Sequence, residues 1–351
     1  MSSHDSRREF LKVAGVAGAA GLTALAGCAG GGDGAGANES DTGTEAGGGM
    51  EDTETDGGDG GDGGGGANTR LSWHAGGTGG TYYPLSNEIK TIVEANTDFS
   101  LNVQSTGASV ENVGSLANGS ADFALIQNDI AYFARNGTGI EVFQGNPIES
   151  LRGVATLYPE TITVVTLEGT GIQSLSDLSG ATINTGDLGS GTQVNANQIL
   201  EAVGVTDYNE QNAGFSQASE QLANGDIDAA FVVGGWPVGA IEDLANTNDV
   251  SLVPISGDDR EAVKEAASWF ADDTIPGGTY SGVSDPVETV AVQAMIATSA
   301  DVPADTVETV TAAIFDNVDE LSIKTDFISA DSAQDGMSIE LHEGAAAYFD
   351  A

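Results

Sequence analysis

The chain has 351 residues and a formal net charge of -43, because 53 aspartates and glutamates outnumber ten lysines and arginines. This charge excludes nucleic acid as a partner, since phosphate binding requires basic patches. Such an acidic surface repels itself in dilute buffer, whereas molar salt shortens the Debye length to about 3 Å. We therefore expect a protein adapted to a salt-rich environment, as halophilic proteins are.

The first 28 residues have the features of an export signal. Residues 6–12 (SRREFLK) match the twin-arginine pattern, and the apolar run at 13–26 is short for a membrane span. The run leads into Leu-Ala-Gly-Cys, which resembles a lipobox, so we expect Cys28 to be lipidated and to anchor the protein on the outer face of the cell membrane. The alternative is an incidental cysteine in an uncleaved anchor. Cys28 is the only cysteine, which excludes intramolecular disulfides.

Residues 29–68 have the composition of a linker. They contain ten acidic residues, many glycines and no lysine or arginine. Such a segment cannot bury enough apolar surface to fold, so we expect a disordered tether that spans roughly 35 Å.

The remaining residues, 69–351, alternate between strand and helix signals, which indicates an α/β fold. Their number suits two lobes better than a single core. The patterns predict strands near 71–75, 101–105, 122–127, 161–167, 181–185, 228–233, 251–255 and 289–297. They predict helices near 83–95, 109–118, 129–135, 192–203, 216–224, 238–246, 259–270, 303–318 and 342–349.

A glycine-rich loop follows the first predicted strand. Four of the five residues at 76–80 are glycine, with threonines and tyrosines close by. Free backbone N–H groups in such a loop, at the start of a helix, can hold a carboxylate or phosphate. The alternative is a flexible loop. A nucleotide fingerprint is absent, because the third glycine is replaced by Tyr82 and no Gly-Lys-Ser/Thr follows.

One segment recurs within the chain. Residues 116–124 (LANGSADFA) are echoed at 222–230 (LANGDIDAA), each predicting a helix end, an Asn-Gly cap and a strand entered through aspartate. Chance similarity is the alternative, since Asn-Gly caps are common. Two similar lobes would direct the predicted helix starts at 75–82, 105–109, 185–192 and 233–238 towards one cleft.

Five motifs in order resemble the TAXI family, the extracytoplasmic solute receptors of TRAP transporters. They are residues 76–84 (GGTGGTYYP), 106–112 (TGASVEN), 124–129 (ALIQND), 186–192 (GDLGSGT) and 234–237 (GGWP). The resemblance implies a type II periplasmic-binding-protein fold, each lobe a mixed sheet flanked by helices. Lobe 1 would comprise 69–160 and 286–351, and lobe 2 would comprise 161–285. It also implies that a cleft closes on glutamate, glutamine or a related carboxylate and delivers it to a sodium-coupled membrane permease, with no cofactor.

Resemblance and side-chain chemistry together predict thirteen ligand-binding residues. They are Gly77, Thr78, Gly79, Tyr82, Ser109, Asn112, Gln127, Tyr158, Ser190, Gly191, Thr192, Gly235 and Trp236. Structural alternatives remain for some: helix core for Tyr82, an N-cap for Ser109, hinge packing for Tyr158 and lobe core for Trp236. None of the seven basic residues after residue 68 falls in a glycine motif, so helix N-termini would have to hold an anionic ligand.

The sequence favours a binding protein over an enzyme. It has three histidines, no Gly-x-Ser-x-Gly elbow and no His/Cys cluster for a metal. Two other classes remain open: a receptor for an ATP-driven (ABC) importer and a two-lobed sensor ectodomain, because fold does not separate them from a TRAP receptor.

Overall fold

A computed structural model describes residues 69–351. The predicted export signal, Cys28 and the tether at 29–68 lie outside the described residues. The strands are β1 Thr69–His74, β2 Phe99–Gln104, β3 Phe123–Gln127, β4 Leu151–Leu167, β5 Thr182–Asn184, β6 Asn209–Gln211, β7 Ala229–Gly234, β8 Val250–Val253, β9 Ala271–Ile275 and β10 Val287–Ser299. The α-helices are α1 Tyr82–Asn96, α2 Ser109–Asn118, α3 Asn128–Asn136, α4 Gly191–Ala202, α5 Phe215–Asn224, α6 Gly239–Ala245, α7 Gly257–Ala266, α8 Ala304–Phe315 and α9 Glu343–Phe349.

The strands form one mixed sheet in the order β2-β1-β3-β10-β4-β7-β5-β6, with β8 beside β4 and β9 beside β10. In the first half, parallel strands β2, β1 and β3 meet the antiparallel strand β10. In the second half, parallel strands β6, β5 and β7 meet the antiparallel strand β4. This arrangement confirms the predicted α/β class with two similar sheet halves.

Two long strands join the halves. β4 has 17 residues and β10 has 13, and they pair from Leu151 with Ser299 to Thr161 with Ala291. β3 pairs with the end of β10, whereas β7 pairs with the end of β4 from Thr161 onwards. Every route from one half to the other along the sheet therefore passes through β4 and β10.

The recurring segment is a structural repeat with one copy in each half. α2 ends at Gly119 (φ 76°) and α5 ends at Gly225 (φ 75°), both in the left-handed region that glycine adopts without strain. In each copy the glycine N–H bonds to a carbonyl of the preceding helical turn, and a buried strand follows.

The aspartate that recurs in both copies has the same structural role in each half. The Asp122 carboxylate accepts the N–H of Ser72 in β1 at 2.7 Å, and the Asp228 carboxylate accepts the N–H of Thr182 in β5 at 2.7 Å. In return, each aspartate donates its own N–H to the same residue's carbonyl, at 2.9 and 2.8 Å. Each aspartate therefore fixes the register of two neighbouring parallel strands.

Helices cover both faces of the sheet. On α1 the buried residues Leu85, Ile89, Ile92 and Val93 form one stripe that packs on Trp73 of β1, as expected from the 3.6-residue period. Four apolar clusters result, two mainly in each half of the sheet. Within residues 69–351, no helix combines the length and apolar character needed to cross a membrane.

The predictions missed two strands and shortened a third. β6 is exposed at all three positions, and β9 (ADDTI) is buried only at Ile275, so neither has an apolar alternation that marks a strand. β4 begins at Leu151, ten residues before its predicted start. The helix predicted at 259–270 ends at Ala266, because the chain turns there into β9.

Candidate functional site

Loops from both halves of the sheet enclose one cleft. Its space amounts to about 550 Å³ when the open mouth is included. The lining residues are 76, 77, 79–82, 106–109 and Gln127 from the first half, Glu160 from β4, and Asp187, 190–192, Gly214, Phe215 and Val233 from the second half.

Four helices begin at this cleft, two from each half. α1 and α2 start at Tyr82 and Ser109, and α4 and α5 start at Gly191 and Phe215; all four residues line the cleft. The first N–H groups of a helix lack partners within the helix and carry partial positive charge. The cleft therefore has features that can hold an anion without a lysine or arginine.

Eight of the thirteen predicted site residues line the cleft. They are Gly77, Gly79, Tyr82, Ser109, Gln127, Ser190, Gly191 and Thr192. Both serines among them also accept a hydrogen bond from the backbone. Ser190 Oγ accepts the Gln193 N–H at 3.1 Å as the cap of α4, and Ser109 Oγ accepts the Gln127 N–H at 3.2 Å. Gly191 leaves no space for a side chain, because a Cβ there would overlap Gln127 Oε1.

Thr78 and Asn112 are not among the lining residues. The Asn112 amide is fully buried and donates to the carbonyls of Ala75, at 2.6 Å, and Leu125, at 2.8 Å. Its oxygen accepts the Thr106 hydroxyl at 2.7 Å. In this structure Asn112 therefore lies outside the lining, where it ties the loop after β1 to β3 and to the Thr106 hydroxyl.

The predicted residues Tyr158, Gly235 and Trp236 also lie outside the lining. Trp236 packs edge-on against Phe327, with ring centroids 6.2 Å apart, and the Lys324 ammonium lies 5.7 Å from the Trp236 ring. Gly235 is confined between Lys324 and Tyr158, where a Cβ would approach Tyr158 Cδ2 to 2.9 Å. In this structure Trp236 therefore packs against the C-terminal part of the chain, in agreement with the core alternative.

Glu160 is the principal lining residue that the predictions missed. It is only 3% exposed, and the hydroxyls of Tyr82 and Tyr158 donate to its two carboxylate oxygens at 2.9 and 3.4 Å. Burial raises the pKa of Glu160 to about 8. One feature of the sequence marks Glu160 as unusual. It is the only charged residue between 153 and 167, a run of otherwise uncharged strand residues.

A chain of buried amides crosses between the halves beside the cleft. Gln127 Nε2 donates to Asn195 Oδ1 at 3.0 Å, and Asn195 Nδ2 donates to Asp129 Oδ2 at 2.8 Å. Burial raises the pKa of Asp129 to about 6, against the lowering effect of the Asn195 bond. On the opposite rim, the Ala240 N–H donates to the Gly79 carbonyl at 3.2 Å. Direct hydrogen bonds between the halves therefore flank the cleft on two sides.

Comparison with known proteins identifies the family. Residues 74–350 match the model of the NMT1-like family, which is most of the chain. The chain belongs to the NMT1-like family. Among solved structures it is similar to a putative L-cystine ABC transporter from Listeria monocytogenes, with 14% identity over 76% of this chain and 98% of that one, and a TM-score of 0.44. It is also similar to an ancestral arginine-binding protein bound to arginine, with 14% identity over 74% and 96% of the two chains, and a TM-score of 0.46.

In this NMT1-like protein the described part of the cleft is acidic. Among residues 69–351, no lysine or arginine is part of the lining, whereas Glu160 and Asp187 are. Burial, with a smaller contribution from the charge of Glu111, raises the pKa of Asp187. Within the same residues, no group of three or more His, Cys, Asp or Glu side chains is placed to hold a metal ion.

Proposed function

We propose that this NMT1-like protein is an extracytoplasmic receptor that captures one small solute in the cleft and delivers it to a membrane permease. The observation that carries the proposal is the convergence of four helix N-termini, two from each half of the sheet, on one cleft of about 550 Å³.

The proposed mechanism is closure about the long strands. Lobe 1 would comprise 69–160 and 286–351, and lobe 2 would comprise 161–285, with bending in β4 and β10. The position of these two strands supports this hinge, since they alone join the sheet halves within the described residues. A solute that contacts both halves would stabilise the closed form, which the permease then recognises.

The proposed solute is glutamate, glutamine or a related carboxylate. Helix N-termini with the hydroxyls of Ser190 and Thr192 supply donors for a carboxylate, and the Gln127 amide suits an amino or amide group. Ser190 Oγ is engaged as the cap of α4, which favours a positioning role over that of a nucleophile.

The proposed partner is a TRAP-type permease, and the proposed location is the outer face of the membrane through lipidated Cys28. The order of the five motifs that resemble the TAXI family supports the TRAP assignment. Neighbouring genes test it: a large fused permease gene agrees with the proposal, whereas a nucleotide-binding subunit would make the protein an ABC-importer receptor.

Native mass spectrometry of protein purified at high salt tests the receptor function. We expect one small molecule to remain bound at one per chain and to be released by unfolding. Thermal-shift screening of amino acids and dicarboxylates is the complementary assay, because a ligand that binds only the folded state raises the Tm. A protein that carries no solute and is stabilised by none of them would refute the proposal.

A further inference from the structure

Two buried acceptor groups lie side by side in the lining of the cleft without enough donors. Glu160 and Gln127 are 3% and 2% exposed. An ionised carboxylate has about four acceptor sites, and Glu160 receives one bond of 2.9 Å from Tyr82 and one long bond of 3.4 Å from Tyr158. The Gln127 amide also donates towards this carboxylate, which leaves acceptor capacity for a ligand donor. Gln127 Oε1 is buried without a hydrogen-bond partner, while its Nε2 is committed to Asn195.

The same lining lacks a counter-charge for the carboxylate. Within residues 69–351, the basic side chains lie outside the lining; Lys324, which contacts Gly235 and Trp236 next to it, directs its ammonium to the Trp236 carbonyl. An ionised carboxylate buried without a cation is costly, so the empty site favours the neutral acid, and a buried amide oxygen without a donor is costly as well. A ligand group that carries both positive charge and several N–H donors would satisfy both acceptors at once.

We propose that Glu160 and Gln127 form an ammonium-binding subsite of the cleft, so that the solute class is one bearing a primary amine, such as an amino acid, and not a simple carboxylate. This proposal rests on the proposed receptor function. Glu160 accepts from the ligand ammonium, Gln127 Oε1 accepts a second N–H, and the ligand carboxylate is left to the N–H groups of the helix N-termini that line the cleft.

The proton balance of the subsite follows from the groups around Glu160. Tyr82 faces it from α1, Tyr158 from β4 and Gln127 from the end of β3, and the charge of Asp129 on α3 further disfavours ionisation. Burial is the largest cause that raises the pKa of Glu160 to about 8, so the empty site holds a proton at neutral pH. When an ammonium binds, that proton leaves the carboxyl group for solvent.

Calorimetry in molar KCl tests the proposal with matched ligand pairs. All twenty amino acids are titrated, and each one that binds is compared with its deaminated analogue, such as glutarate for L-glutamate. We expect the amino acid to bind at least about thirtyfold more tightly than its analogue, as for removal of a partner from a buried charge. Titration in two buffers of different ionisation enthalpy at pH 7 should show release of about 0.9 proton per ligand, given a pKa of about 8.

Two variants complete the design. Glu160→Gln should weaken binding of the amino acid at least about thirtyfold and change binding of the deaminated analogue by less than about threefold. Glu168→Gln makes the same chemical change at an exposed residue just after β4 and should bind as the wild type does. If Glu160→Gln fails to fold, the comparison of each amino acid with its deaminated analogue in the wild type still decides the question.

The outcomes separate the two proposals. Equal affinity for an amino acid and its analogue, or an unaffected Glu160→Gln variant, would each overturn the ammonium subsite and leave the receptor function standing. A folded wild-type protein that binds no solute of any kind would instead overturn the receptor function.

Discussion

Replacing Glu160 with glutamine should stabilise the empty protein at alkaline pH, although the same change is expected to weaken ligand binding. Glutamine has nearly the same shape as glutamate and can still pair with the hydroxyls of Tyr82 and Tyr158. It removes only the ionisation that burial makes unfavourable. A binding residue that costs stability when no ligand is present is typical of a functional site.

The size of this effect on the free energy of unfolding follows from the pKa of Glu160, which is raised from 4.5 to about 8 in the folded protein. A group with a raised folded-state pKa gives a stability contribution that is fully present below pH 4.5 and is lost as the pH rises through 8. At 1.36 kcal/mol for each pH unit between the two values, the wild type loses on the order of 4 kcal/mol between pH 4 and pH 8 because of this group. Glu160→Gln does not have this loss.

Denaturant unfolding without ligand measures the effect, at constant molar KCl and several pH values between 4.5 and 8.5. The difference in the free energy of unfolding between Glu160→Gln and the wild type should grow in favour of the variant as the pH rises. The titration of Asp129, whose pKa is raised to about 6, occurs in both proteins and cancels in the difference to first order. Glu168→Gln should show a flat difference. A flat difference for Glu160→Gln as well would refute the argument that Glu160 is buried and without a counter-charge.

Three further predictions concern the cleft and the anchor. Gly191→Ala should weaken solute binding at least about tenfold, because its Cβ would displace Gln127 Oε1. Gly239→Ala, at the start of a helix, should bind normally in the same calorimetric assay, because its Cβ would meet only the Gly79 carbonyl at 4.0 Å, an ordinary van der Waals contact. Asn195→Ala should cost about 1–2 kcal/mol of closure free energy by breaking the bridge to Gln127 and Asp129, measured as weaker binding and less compaction in small-angle scattering. Asn197→Ala, on the same helix as Asn195, is its control, since it removes a partly buried bond from the Tyr208 hydroxyl and leaves the bridge intact. Cys28→Ser should move the protein from the membrane fraction to the soluble fraction of the cell.

Local patterns predicted the framework of the fold because the signals themselves are local. The Asn-Gly caps and the aspartates after them are encoded within nine residues, and the repeat of this segment indicated two similar halves before the strand order was known. Helix starts were equally predictable, since glycines and hydroxyl residues precede the apolar stripes of α1, α2 and α4.

The side chains whose partners lie far along the chain were not predictable in the same way. Asn112 was assigned to the cleft, but its amide is held by carbonyls 37 and 13 residues away. Trp236 packs against Phe327, and Glu160 is held by Tyr82, 78 residues earlier. A sequence pattern shows that such side chains are unusual but does not show what they contact.

A crystal structure of the protein purified with its bound solute at high salt would test the central claim most directly. We predict that one small molecule lies between the loop at 76–82 and the start of α4 at Gly191, in contact with residues of both sheet halves. A solute held by one half alone, or bound at another surface while this cleft remains open to solvent, would contradict the claim that the two halves jointly bind a single metabolite.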